Sequence, residues 1–137
     1  METLTFDKDI TVFYVTASSF PEGVMAAHQK LHSLIPFSTT RKYFGLSRPE
    51  SSDNKIIFRA AAEQLEAGEA KKLNLDTIVL KKGRYTVITI RDYMKDIPAI
   101  GNAFQQLISL PDIDPQGYCV EWYVTDKEVK CMIRMKD

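Results

Sequence analysis

A nine-residue repeat constrains the fold of this chain more than any other feature. Residues 27–35 read AHQKLHSLI and residues 103–111 read AFQQLISLP, and the two stretches agree at five of nine positions. Each stretch ends an amphipathic segment whose apolar residues recur at helical spacing. The two segments begin alike, with Ser19-Phe20-Pro21 and Asp96-Ile97-Pro98 each placing a capping side chain before a proline in the first turn. The repeat therefore predicts two equivalent helices.

Extended stretches flank both predicted helices in the same order, one before and two after. They are residues 10–16, 43–48 and 56–60 in the first half, and 85–91, 118–125 and 129–135 in the second. Turn signals at Pro49–Asp53 and at Asp126-Lys127 separate the last two stretches of each half. A further strand over 77–80 leads into the second half.

These elements predict one α+β domain over residues 1–137, built from a duplicated β-α-β-β unit. Half 1 spans about 5–62, a connector that is partly helical spans about 63–74, and half 2 spans about 75–137. We expect two antiparallel sheets, each covered by a helix, with a ligand cleft between the halves.

The last hairpin predicts which side chains face that cleft. If Asp126-Lys127 is a two-residue loop, Thr125 lies opposite Glu128 and the register of the hairpin is fixed. One face is then apolar and should pack under the helix. Its residues are Tyr118, Val120, Trp122, Val124, Val129, Cys131, Ile133 and Met135. The other, mixed face should line the cleft, and it would hold Cys119 on the opposite side of the hairpin from Cys131.

The first half is interpreted in the same way. Phe44 and Leu46 are expected to face the helix, and Tyr43, Gly45 and Ser47 to face away from it. A glycine at position 45 would leave room in the cleft.

Composition argues against several classes of function. The chain has 18 basic and 18 acidic residues, so its net charge is zero and no basic stripe points to nucleic acid. Acidic and basic residues interrupt the first ten positions, and no apolar run approaches the length of a membrane span. We therefore expect a cytoplasmic protein without direct nucleic-acid or membrane contact.

Metal and cofactor sites have weak support in the sequence. His28 and His32 have the helical spacing that can chelate a metal, but no further ligand is placed to complete a site. We expect both histidines at the surface or at the boundary of the core. The sequence holds no phosphate-binding glycine loop and no nucleophile paired with a histidine and an acid. The expectation is no metal, no cofactor and no catalytic residue, with Glu121 as the one candidate general base if there is an activity.

The residues also resemble a known family. The stretches Tyr43–Leu46, Gly83–Val87 and Val120–Tyr123, set in the duplicated plan, are similar to the GyrI-like small-molecule-binding family. That family includes the effector-binding domains of bacterial drug-responsive transcription activators. The resemblance implies an aromatic pocket with an acidic residue on the penultimate strand, where Glu121 stands. In family members that respond to lipophilic cations, this carboxylate faces the positive charge of the ligand.

The resemblance implies that the chain binds a hydrophobic small molecule, with cationic compounds as one class. The expected ligand-binding residues are Glu121, Tyr123, Tyr43, Tyr85 and Trp122. The sequence departs from the regulators because nothing before Phe6 provides a DNA-binding module. Two alternatives stay open, a hydrolase of reactive genotoxic small molecules in the same cleft and a gyrase-inhibitor-like protein-interaction module. A protein partner or a homodimer is compatible with either.

Overall fold

The computed structural model describes residues 1–50 and 53–137, and this part of the chain holds eight strands and three α-helices. The strands are β1 (Glu2–Phe6), β2 (Ile10–Thr16), β3 (Tyr43–Pro49), β4 (Ile56–Glu63), β5 (Thr77–Leu80), β6 (Gly83–Arg91), β7 (Cys119–Tyr123) and β8 (Glu128–Arg134). The helices are α1 (Val24–Leu34), α2 (Glu69–Lys72) and α3 (Pro98–Ile108), and a single 3₁₀ turn covers Tyr93–Lys95. Two residues of the predicted turn at Pro49–Asp53 lie outside the described residues.

All eight strands belong to one curled antiparallel sheet in the order β1-β6-β8-β7-β3-β4-β2-β5. The expectation of two separate sheets is wrong. The two halves merge because β3 and β7, the strands that follow the two long helices, pair directly with each other. Hydrogen bonds satisfy the backbone of both strands across this junction, so no sheet edge is left between the halves.

The duplication is visible in the strand order on either side of the junction. Half 1 places β4 and then β2 beside β3, and half 2 places β8 and then β6 beside β7. The edge strands are exchanged between the halves, since β1 pairs with β6 and β5 pairs with β2. The sequence analysis did not predict β1. The predicted connector contains the short helix α2.

The two long helices begin differently. Pro98 is the first residue of α3, in the position where proline sacrifices no hydrogen bond. Helix α1 begins later than predicted, at Val24, because the Gly23 N–H bonds to the Ser19 carbonyl and the chain turns once before the helix. Neither Ser19 nor Asp96 caps a helix with its side chain, so that part of the prediction is wrong. No helix among the described residues has the length and apolar character of a membrane span.

Both faces of the sheet are apolar. On one face, here called the helix face, α1 packs on β2 and β4, and α3 packs on β6 and β8. The cluster under α1 includes Leu31 and Phe58, and the cluster under α3 includes Leu107 and Cys131. The opposite face buries a third cluster, and the largest of its side chains is Phe44. Phe44 and Leu46 were expected to face the helix, and the structure places them on the opposite face.

The β7–β8 hairpin has a register one residue away from the predicted one. Tyr123 pairs with Val129 and Glu121 pairs with Cys131. Thr125 lies inside the loop, where its Oγ1 accepts hydrogen bonds from the N–H groups of Lys127 and Glu128. A shift of one residue moves every side chain of a strand to the other face. Glu121 therefore lies on the helix face, and it shares that face with Cys119 and Cys131, both of which are free thiols.

Candidate functional site

On the helix face, α1 and α3 lie over different strands, and a strip of the sheet separates them. Because α1 covers β2 and β4 while α3 covers β6 and β8, the central strands β3 and β7 form this strip. At its centre Gly45 of β3 pairs with Glu121 of β7. Two residues along β7, Tyr123 projects from the same face and packs against the clusters under both helices. We call this region the helix groove.

Glu121 is the acidic group of the helix groove. Tyr123 Oη lies 2.9 Å from Glu121 Oε1, within hydrogen-bond distance. Burial raises the pKa of the Glu121 carboxyl to about 7, and the Tyr123 hydrogen bond opposes that rise only in part. The carboxyl group is thus close to half ionised at neutral pH, whereas an exposed glutamate would be fully ionised.

His28 extends this hydrogen-bonded pair onto α1. Its Nε2 lies 3.2 Å from Tyr123 Oη, so the tyrosine hydroxyl bridges the carboxyl group and the imidazole. Burial, followed by the neighbouring His32, lowers the pKa of His28 to about 4. The imidazole is therefore neutral at physiological pH and has one nitrogen free to accept. Glu121, Tyr123 and His28 form a three-group chain from the floor of the groove to its wall.

Gly45 makes the space for this chain. A Cβ built at Gly45 would lie 2.6 Å from Tyr123 Oη and 2.7 Å from Phe58 Cζ, far inside van der Waals contact. Only a residue without a side chain lets the tyrosine hydroxyl and the Phe58 ring meet over β3. Gly45 was expected to face away from the helix and to leave room in a cleft; the structure places it on the helix face, where Tyr123 and Phe58 fill the space beside it.

Aromatic rings surround the chain. His28 meets the edges of Phe58 and Tyr123 with centroids 5.4 and 5.2 Å apart, and Tyr93 lies 6.1 Å from Tyr123. Phe20 stacks on Phe58 at 6.1 Å and is 41% exposed. The segment after Tyr93 also exposes apolar side chains, with Met94 59% and Ile97 51% accessible. The groove thus has an acidic centre, aromatic walls and an apolar surface beside Phe20 and Tyr93.

The predicted ligand-binding residues divide between the two faces. Glu121 and Tyr123 meet in the helix groove. Tyr43 shares their face but is 7% exposed, and it packs against His32 and Phe37 at the far end of β3. Its hydroxyl accepts a hydrogen bond from the Ser38 N–H. Tyr43 therefore supports the end of the groove and does not contact the acid.

Tyr85 and Trp122 lie on the opposite face, away from Glu121. Tyr85 is 2% exposed, its hydroxyl donates to the Lys81 carbonyl at 2.7 Å, and burial raises its pKa to about 12. Trp122 packs near Phe6 and Phe44 in the cluster of that face. The structure does not bring either residue together with the acid of the helix groove.

Sequence reasoning missed His28, Phe58, Tyr93 and Phe20 as groove residues. A signal was present for His28, because it follows Ala27 of the core stripe and so can turn toward the sheet. Phe58 and Tyr93 carried no such signal, since both are far from Glu121 in sequence. The pairing of β3 with β7 brings Phe58 near Glu121, and the pairing of β8 with both β6 and β7 brings Tyr93 near it. The periodicity of a short stretch of sequence does not predict which distant strands pair.

Solved structures share this arrangement of strands and helices. An integron cassette protein from the mobile metagenome of Vibrio cholerae superposes with a TM-score of 0.72 at 12% identity, over 98% of this chain and 95% of that protein. The protein SAV2435, in a structure bound to tetraphenylphosphonium, superposes with a TM-score of 0.59 at 12% identity, over 97% and 93%. A hydrolase from Listeria innocua superposes with a TM-score of 0.57 at 7% identity, over 98% and 90%.

This chain has the GyrI-like fold. No protein-family model and no curated protein matches the sequence. The low identities mean that the likeness establishes the fold alone, and the function has to be argued from the helix groove of this GyrI-like chain.

Proposed function

We propose that this GyrI-like protein binds a hydrophobic organic cation in the helix groove, with Glu121 facing the positive charge. The observation that carries the proposal is the half-buried Glu121 carboxyl group, set among aromatic side chains on the helix face. No Lys or Arg is hydrogen-bonded to Glu121 among the described contacts; its one side-chain partner there is Tyr123. A buried carboxylate without a cationic partner is costly to ionise, and a ligand that brings the missing charge removes that cost.

The raised pKa gives the groove selectivity for charge. At neutral pH the Glu121 carboxyl group is near its midpoint of ionisation. A cation that enters the groove favours the ionised form and gains a charge–charge term in surroundings from which water is largely removed. A neutral ligand of the same shape gains no such term. Charge recognition therefore depends on one residue.

The aromatic rings supply the remaining affinity. The Tyr93 ring lies 6.1 Å from the Tyr123 ring, and the His28 ring lies 5.4 Å from Phe58 and 5.2 Å from Tyr123. A cation over an aromatic face gains about 0.5–2 kcal/mol, and burial of apolar ligand surface adds a non-directional term. The shared fold with SAV2435, which binds tetraphenylphosphonium, makes that lipophilic cation the natural first probe.

A thermal-shift titration with tetraphenylphosphonium tests the proposal. Ligand at about 100 times its dissociation constant stabilises a protein by about 2.7 kcal/mol, which raises the melting temperature by several degrees. We expect this rise in the wild type and a much smaller rise in Glu121→Gln at the same concentration.

Glu2→Gln is the matched control for that titration. It removes one negative charge from an exposed glutamate of β1, at the far edge of the sheet. This variant should bind tetraphenylphosphonium like the wild type. Equal loss in both variants would mean that general electrostatics, and not Glu121, attracts the cation, and no shift in the wild type would contradict the proposal.

Hydrolysis of a reactive small molecule is a second candidate function for the same groove. A carboxyl group with a pKa near 7, hydrogen-bonded to a tyrosine hydroxyl, has the properties of a general base at physiological pH. The Listeria innocua hydrolase shares the fold. If the chain turns over a strained electrophile, Glu121→Gln should abolish turnover while the variant keeps its fold by circular dichroism. Turnover that survives in Glu121→Gln would rule out Glu121 as the general base.

A further inference from the structure

The three-group chain in the helix groove has a property that simple charge recognition does not require. Tyr123 Oη is within hydrogen-bond distance of both Glu121 Oε1, at 2.9 Å, and His28 Nε2, at 3.2 Å. A tyrosine hydroxyl has one hydrogen to donate, so it can donate to only one of these neighbours at a time. It must accept from the other if both contacts are hydrogen bonds. The chain can therefore run in either of two directions.

We propose that the chain reverses when a cation binds, so that the proton of Glu121 leaves the groove through Tyr123 and His28. This inference rests on the proposed function and adds a role for His28 as a positioning and proton-transfer residue. With Glu121 ionised, Tyr123 donates to Glu121 Oε1. With Glu121 protonated in the free protein, the carboxyl group donates to Tyr123 Oη, and Tyr123 donates to His28 Nε2. His28 then carries its own proton on Nδ1.

Three proton movements convert the free arrangement into the bound one. The Glu121 proton passes to Tyr123 Oη, the Tyr123 proton passes to His28 Nε2, and the proton on His28 Nδ1 passes to solvent. The carboxylate that results accepts from Tyr123, which accepts from His28 Nε2–H. Where Glu121 is protonated before binding, one proton leaves for each monovalent cation that enters, so the net charge of the groove does not change.

The surroundings of the chain favour release of the proton over its storage. The titratable groups around Glu121 and His28 are Tyr123, Tyr93, Cys119, Cys131 and His32. None of the tyrosines and cysteines has a pKa lowered into the neutral range, and α3 contributes no titratable side chain to the groove. Because the lowered pKa of His28 disfavours the imidazolium, the Nδ1 proton has to leave as Nε2 gains one, so His28 transfers the proton and does not store it.

The exit through His28 also solves a problem of access. A hydrophobic cation that fills the groove covers Glu121 and removes the water that would otherwise take the proton. His28 belongs to α1 in the wall of the groove, is only partly buried, and precedes the exposed His32 by one helical turn. The proton can therefore leave through the wall while the groove stays closed by the ligand.

Nitrogen-15 NMR of the histidine rings, with tetraphenylphosphonium as the probe, tests the inference at pH 6. Protonated and unprotonated ring nitrogens have distinct chemical shifts, so the tautomer is read directly in the intact wild-type protein. We expect His28 to change from the Nδ1–H to the Nε2–H tautomer as the cation saturates the groove. His32 is the internal control, and its spectrum should show no such exchange.

Proton release is measured in parallel by calorimetry in two buffers of different ionisation enthalpy. With a Glu121 pKa of about 7, binding should release about 0.9 proton at pH 6 and about 0.1 proton at pH 8, and affinity should rise about tenfold between these values. Tyr123→Phe breaks the chain between Glu121 and His28, so its His28 should keep one tautomer when the cation is added. If tetraphenylphosphonium binds with the expected dependence on Glu121 while His28 keeps its tautomer in the wild type, this inference is wrong and the proposed function stands. If the cation does not bind, both are contradicted.

Discussion

The two halves of the molecule share a scaffold and differ where the groove needs them to differ. The same number of residues separates Ala27 from Ala103, Leu31 from Leu107 and Gly45 from Glu121. The alanines and leucines lie at equivalent positions of α1 and α3 and are buried against the sheet. The third pair meets at the junction of β3 and β7, where half 1 has a glycine and half 2 has the acid. The two halves therefore have the same residues at these packing positions and different residues at the junction.

This difference explains why the groove has one carboxyl group. Glu121 and Gly45 are directly opposite each other in the sheet, so a second glutamate at position 45 would set two buried carboxyl groups side by side. Like charges at that distance cannot both ionise. The glycine also provides the space into which the Tyr123 hydroxyl extends. Half 2 therefore contributes the carboxyl group of Glu121, and half 1 contributes the glycine opposite it.

The helices show the same division. His28 of α1 occupies the position that Phe104 occupies in α3. His28 bonds to Tyr123 across the groove, whereas Phe104 packs into the cluster beneath its own helix. A duplicated fold thus produces an asymmetric site by exchanging a few side chains on equivalent positions.

The largest expected effects are on stability, from substitutions at the core positions that the two halves share. Leu31 and Leu107 are both fully buried. Leu31→Ala and Leu107→Ala should each lower the free energy of unfolding by about 2–5 kcal/mol, because each leaves a cavity under its helix. Both variants should unfold in a single transition in urea, since the joined sheet makes one cooperative unit.

The control for this pair is Leu34→Ala, which truncates a 38% exposed residue of α1 and should cost less than 1 kcal/mol. Separate transitions for the two halves, or a loss confined to one leucine, would mean that the halves are not energetically equivalent.

The next effect concerns the pH dependence of stability, where the two halves oppose each other. The pKa of Glu121 is raised from 4.5 to about 7, so the folded state holds a proton that the unfolded state has lost, and stability falls as pH rises through this window. The pKa of His28 is lowered from 6.5 to about 4, so the unfolded state holds the extra proton and stability falls as pH drops. Each contribution amounts to about 3 kcal/mol across its window.

These contributions nearly cancel in the wild type between pH 4.5 and 6.5, and single substitutions should expose them. Glu121→Gln leaves the histidine effect, so its free energy of unfolding should drop by about 3 kcal/mol from pH 7 to pH 4 relative to the wild type. His28→Gln leaves the carboxyl effect, so this variant should become relatively more stable as pH falls from 7.5 to 4.5. Urea titrations over this range check both slopes, and parallel curves for all three proteins would contradict the burial of both groups.

A smaller effect separates two glycines. Gly45→Ala should lower stability by about 1–3 kcal/mol and weaken cation binding, because the new methyl group displaces Tyr123 and Phe58. Gly101 lies in α3 with no heavy atom within 4 Å of a built Cβ, so Gly101→Ala should stabilise by about 0.5–1 kcal/mol. Thermal unfolding of both variants checks the contrast. A neutral Gly45→Ala would show that the groove has more room than the contacts indicate.

Local pattern was sufficient to predict the elements of this fold. The duplicated β-α-β-β order, Pro98 at the start of α3 and a helical piece in the connector all follow from residues close together in sequence. The identification of a GyrI-like fold rested on the same local stretches. The position of Gly45 as a place without room for a side chain was also predictable, since glycine inside a strand marks close approach.

The register and the sheet number could not be predicted in this way. Alternation fixes which face is buried only when the other face is polar, and here Phe44 and Phe58 on neighbouring strands bury opposite faces of one sheet. A three-residue loop with Thr125 hydrogen-bonded inside it was therefore as compatible with the sequence as the two-residue loop. That single residue moved Glu121 onto the helix face.

Calorimetry at pH 8 with tetraphenylphosphonium and with triphenylphosphine oxide, an uncharged analogue, tests the central claim most directly. Glu121→Gln keeps the shape of the groove and removes the charge, so it should weaken binding of the cation by about 1.5–3 kcal/mol, at the low end of the range for close charge pairs. Binding of the uncharged analogue should not weaken, because it brings no positive charge to the carboxylate and its phosphoryl oxygen can accept a hydrogen bond from Gln. Equal losses for the two ligands, or no loss for either, would contradict recognition of a cation by Glu121.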